Sequence, residues 1–156
     1  MPKVWVLFAI SGLLVFAFGL FVPAEGALTS FNFWGITLVG NSARVIMGVG
    51  AAGLLFALLY RYTDTLLYSK NWALLHWIAY IFLFLNIWSW GFVERIYLGE
   101  GDAILQVDKL SAENSDRFTR IEGIYHGALT ILLLMQLVYF LNLLVGILYR
   151  KSKFGE

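Results

Sequence analysis

The residues best placed to do chemistry are Glu122 and His126. They stand four apart, so on a helix both side chains share one face. A glutamate and a histidine one turn apart can share a metal or pass a proton. Glu94 is expected to end a helix at a similar level, and Arg44 to start one there. Four helices ending together would bring Arg44, Glu94, Glu122 and His126 within reach of one another. The first expectation is an ion-pair network in which Glu94 and Glu122 seat Arg44, a charge that is costly in a bilayer. The second is a metal site of Glu122, His126 and Glu94. That set is thin, because protein metal sites draw on three or four ligands.

The chain has two histidines, which raises the question of a haem with two axial imidazoles. His76 falls one turn into the third apolar run and His126 near the start of the fourth. In antiparallel helices rising 1.5 Å per residue, their depths differ by roughly 20 Å. One iron cannot bind both. Asn86, Gln136 and Asn142 lie within apolar runs and are expected to bond neighbouring helices, for about 0.6–2 kcal/mol each. There is no cysteine, which removes disulfides, thiolate chemistry and cysteine-held metals. Phosphate loops, nucleophile elbows and paired-histidine zinc motifs are also missing from the sequence.

The elements that position these groups follow from composition. Hydrophobic residues make up 60% of the chain and charged residues 13%. A soluble domain is about half apolar and a quarter charged. A chain of 156 residues cannot bury so much apolar surface in one small core, so the bilayer is its expected solvent. The fold class expected is all-α: four transmembrane helices over about residues 4–22, 43–60, 72–92 and 117–149, in a single membrane domain. The first run is longer than the roughly 7–15 apolar residues of a signal sequence. Trp72, Trp77, Trp88 and Trp90 flank the third run at both ends, where tryptophan favours the membrane interface. The fourth run outlasts a hydrocarbon layer roughly 30 Å thick, which predicts tilt or an extra turn.

Between the spans lie three connections. Residues 23–42 carry Pro23, Gly26, Gly35 and Gly40 with Phe31, Phe33 and Trp34, and read as an aromatic loop at headgroup level. Asn41-Ser42 is the expected cap of the second helix. The link 61–71 is short and polar. The long polar passage 94–123 holds most of the acidic residues, and within it 103–110 reads as a short helix lying on the membrane.

The second run is rich in small residues. Gly48 and Ala52 stand four apart, as do Gly53 and Ala57. That spacing lets helix backbones approach closely, either across an assembly face or against the chain's own helices.

An even number of spans puts both termini on one side. Lys3, Arg61, Lys70, Arg150, Lys151 and Lys153 fall on that side, close to helix ends. Basic residues there mark the cytoplasm, so both termini are expected to be cytoplasmic, as in a bacterial inner-membrane protein.

Two stretches, Ser11-Gly12-Leu13-Leu14 with Phe18-Gly19 and Ala43-Arg44-Val45-Ile46-Met47-Gly48, resemble small four-helix bacterial membrane families of the DoxX-like type. The likeness covers about a third of the chain. The long loop before the fourth helix departs from it, and no function or site residue follows from it.

Three functions are weighed. The first is a non-catalytic integral membrane subunit or accessory protein that packs against a larger complex or self-associates, with lipid contacts around it. The second is a metal- or haem-dependent redox protein built on the outer Glu/His cluster. The third is a small transporter or channel, which the lack of an acidic residue at mid-membrane argues against. A net charge of +1 implies no nucleic-acid partner.

Overall fold

The computed structural model describes residues 3–22, 28–33, 36–98 and 112–154, with side chains for 3–22, 40–93, 96–97 and 114–150. The elements are α1 (Val4–Phe21), β1 (Leu28–Phe33), β2 (Ile36–Asn41), α2 (Ser42–Thr63), α3 (Lys70–Leu98), α4 (Ala112–Met135) and α5 (Val138–Phe154). Four helical segments are long and apolar enough to cross a membrane: α1, α2, most of α3, and α4 with α5 together. They run alternately up and down. The loop at 64–69, the start of α1 and the end of α5 therefore lie at one end of the bundle, and the hairpin lies at the other.

Three boundaries differ from the sequence reading. First, the connection 23–42 is not simply a loop. Residues 28–41 form an antiparallel hairpin in which Phe33 pairs with Ile36 and Leu28 with Asn41. Alternating β-branched and aromatic residues around a two-residue connection ending in Gly35 are a hairpin signal. Second, α3 runs on to Leu98, so Glu94 lies within that helix and not at its end; its side chain is outside the described residues. Third, α4 begins at Ala112, and the last span is interrupted at Gln136 and Leu137. The surface helix expected over 103–110 falls outside the described residues.

Asn41 caps α2 as expected, its Oδ1 accepting from the Arg44 N–H at 3.3 Å. That bond satisfies a first-turn amide with no intrahelical partner.

The tightest packing joins α1 to α2. The buried positions of α1 are Phe8, Gly12, Val15 and Gly19; those of α2 are Ala43, Ile46, Gly50, Gly53, Ala57 and Tyr60. Both sets step by three and four, the period of left-handed helix pairs. Glycine permits the approach. A Cβ on Gly12 would stand 2.8 Å from the Leu54 nitrogen, and one on Gly19 2.9 Å from the Met47 nitrogen. A Cβ on Gly50 would run into the backbone of Phe16. Gly53 leaves the space filled by the Tyr80 phenol of α3, whose hydroxyl donates to the Val49 carbonyl at 3.2 Å. One glycine thus joins three helices.

Candidate functional site

The polar interior gathers at the end of the bundle that holds the 64–69 loop. His76 of α3 is fully buried, at 0% exposure. Phe8 of α1 and Phe56 and Tyr60 of α2 surround its ring, with centroids at 5.0, 4.5 and 5.7 Å. Both of its nitrogens are engaged. Nδ1 lies 2.9 Å from the Tyr60 hydroxyl and Nε2 lies 2.9 Å from Gln136 Oε1. The partners come from α2 and from the interruption in the last span, so this histidine ties three segments together.

A second buried tyrosine, Tyr139, packs at 4.9 Å from the Tyr60 ring. Its hydroxyl lies 3.0 Å from Thr63 Oγ1, which donates its one proton to the Leu59 carbonyl at 2.7 Å. Tyr139 is therefore the donor to Thr63. Nearby, Asn142 is also fully buried. Its Oδ1 accepts from the Ser69 N–H and its Nδ2 donates to the Ser69 carbonyl, both at 2.9 Å. Its own carbonyl accepts from the Tyr68 N–H at 3.2 Å. One amide side chain thus does for the loop what a strand partner would do. Gly146 lies under Leu66 and Tyr68 where no Cβ would fit, and the Arg150 guanidinium donates to the Thr65 carbonyl.

The other end holds the pair singled out in the sequence. His126 Nδ1 and Glu122 Oε1 are 4.0 Å apart. Trp90 of α3 packs between Phe118, Tyr125 and His126 of α4, with centroids at 5.8, 5.0 and 5.7 Å. Tyr125 donates to Ser89 Oγ at 2.8 Å. The Trp90 indole nitrogen is buried and finds no acceptor among the described residues. The Glu94 side chain, named with Glu122 and His126 as a possible metal ligand, is outside the described residues. Among the described residues no group of three or more potential ligands converges.

Two placements differ from expectation. Arg44 is exposed and forms no ion pair with Glu122 among the described residues; Glu122 faces His126 instead, and the expected pairing with Glu94 lies outside the described residues. A charge on the first turn can reach the interface along its own methylenes and needs no buried carboxylate. Gly48 faces open space where a Cβ would go, and Ala52 is only half-buried. Within this chain the close approach passes through Gly50, Gly53 and Ala57, not through Gly48 and Ala52.

His76 lies near one end of α3 and His126 packs on Trp90 near the other, about 20 Å apart in depth at 1.5 Å per residue. Sequence reasoning weighs His76 only as one of two axial haem ligands, a pairing that helix depth argues against. It did not find Tyr60, Tyr139 or Thr63. No spacing signals them, because each is a lone polar tip on an apolar helix.

Comparison with protein-family models, with curated proteins and with solved structures found no match. The likeness of the first half to DoxX-like proteins therefore assigns no family. What the chain does has to be argued from its geometry.

Proposed function

We propose that this chain is a small, non-catalytic integral membrane subunit that packs against a larger membrane complex and stabilises it. One observation carries the reading. The buried polar side chains at the 64–69 end are bonded within the chain: His76 uses both nitrogens on Tyr60 and Gln136, and Asn142 uses both ends of its amide on the Ser69 backbone. That interior makes a stiff scaffold, and its outer faces remain apolar. Ile10, Leu13 and Leu14 of α1, and Leu137, Leu141 and Leu144 across the last span, are more than half exposed. Such faces suit lipid and the helices of other subunits alike. In this reading the membrane is a bacterial inner membrane and both termini face the cytoplasm, supported by Lys3, Arg61, Lys70, Arg150, Lys151 and Lys153 near the same helix ends.

Purification in mild detergent tests the proposal. A stoichiometric integral membrane partner is expected to accompany the chain. A homogeneous preparation of this chain alone, from cells expressing it at native level, would count against the role.

The Glu122–His126 pair supports a second reading, a metal- or haem-dependent redox protein, because a carboxylate and an imidazole share one helix face. Metal analysis and an optical spectrum of the purified protein distinguish the two.

A further inference from the structure

The interruption in the last span has its own hydrogen-bond logic. In an α-helix the Gln136 N–H would donate to Leu132 and the Leu137 N–H to Leu133. Instead Gln136 donates to the Leu133 carbonyl at 3.1 Å and Leu137 to the Leu134 carbonyl at 3.0 Å. These are the three-residue bonds of an overwound turn. They leave the Leu132 carbonyl without an amide, and the Gln136 side chain supplies one, its Nε2 donating to Leu132 at 2.9 Å. The residue replaces its own backbone N–H with its side-chain amide.

That assignment fixes a direction for the whole chain of bonds. A carbonyl only accepts, so the Gln136 nitrogen faces Leu132 and its oxygen faces His76. His76 must then carry its proton on Nε2, and Nδ1 must accept from the Tyr60 hydroxyl. The sequence runs Tyr60 to His76 to Gln136 to Leu132 with one donor at each step.

The overwound turn also sets the facing of α5. Beyond it the positions turned inward are Tyr139, Asn142 and Gly146. From Gln136 to Tyr139 to Asn142 they advance three residues at a time, where an ordinary helix pair alternates three and four. A local step of three overwinds a helix. This is the rotation that brings Asn142 to Ser69 and Gly146 to Leu66.

We propose that Gln136 and His76 form a latch that holds this overwound turn and, through it, docks α5 on the 64–69 loop. With the latch open, the turn relaxes toward four-residue bonding, Asn142 rotates off Ser69, and this end of the bundle loosens. The glycine contacts between α1 and α2 at Gly12, Gly19 and Gly50, which touch neither latch residue, stay closed. The inference concerns how the bundle is held and does not depend on the proposed subunit role.

Two measurements on the full chain in lipid nanodiscs test it. The chain has only two histidines, so nitrogen-15 labelling of histidine yields two ring systems, assigned by His126→Gln. His76 is expected wholly in the Nε2–H tautomer, and the Nδ1–H tautomer would overturn the proposal. The second is hydrogen exchange at the Tyr68 and Ser69 amides, both bonded by Asn142. Gln136→Leu is expected to speed their exchange at least tenfold while the α1–α2 amides keep the parent rate. Unchanged exchange at Ser69 would mean that packing alone sets the turn, and the latch fails. If Gln136→Leu loosens the whole bundle, His76→Phe decides, since it removes the bond to Gln136 and keeps an aromatic ring in the pocket. Faster exchange confined to the loop then supports the latch, and parent-like exchange overturns it.

Discussion

Asn142 shows how much one side chain can hold in a low-dielectric interior. Fully buried itself, it bonds through its amide both the N–H and the carbonyl of the half-buried Ser69, and losing the partner would strand groups at the edge of that interior. An unpaired buried donor or acceptor costs about 1–3 kcal/mol. Asn142→Leu is therefore expected to destabilise the protein by at least that much, read as a lower thermal midpoint in detergent. Arg44 makes the opposite case. Its position on the first turn of an apolar run predicts a buried ion pair, yet the side chain is exposed and unpaired with Glu122. Arg44→Ala is expected to shift stability by no more than about 0.5 kcal/mol, as exposed sites do. A loss of several kcal/mol on thermal denaturation would restore the pairing with a carboxylate.

At the scale of helices, the small residues of α2 separate into two faces that composition does not distinguish. Gly50 touches the Phe16 backbone, while Gly48 faces open space. Gly50→Ala should push α1 and α2 apart and cost about 1–3 kcal/mol, the range for overpacked contacts. Gly48→Ala meets no such obstacle and should be neutral or stabilising by up to about 1 kcal/mol through helix propensity. Comparing the thermal midpoints of the two variants checks which face is the seam. The hairpin at 28–41 belongs to the same scale. Its alternation was readable, but glycines and aromatics in a membrane connection equally suit an interfacial loop, and only strand pairing decides between them.

For the whole molecule, the decisive property is which end faces the cytoplasm. The natural chain has no cysteine, so single cysteines report topology without background. Asp116→Cys is expected to react with a membrane-impermeant maleimide in intact cells, and Asp64→Cys only after lysis. The reverse pattern would invert the threading and place the His76 network at the outer end. Either way, the two polar clusters remain at opposite ends of one bundle.

Four helices long and apolar enough to cross a membrane, and the cap at Asn41, were legible in the sequence. Each depends on local composition: apolar length against bilayer thickness, and a capping side chain. The facing of each helix was not legible. A soluble helix shows its buried side as an apolar stripe, but these spans are apolar nearly all round and carry no such mark. Which glycine meets a neighbour, and which polar tip meets another, depends on the rotation of each helix against the rest. The bond between His76 and Gln136, 60 residues apart, joins a helix to a turn of three-residue bonding that no local pattern marks. Tertiary packing made that choice, since an unpaired polar group in a dry interior costs more than a local departure from α-helical bonding.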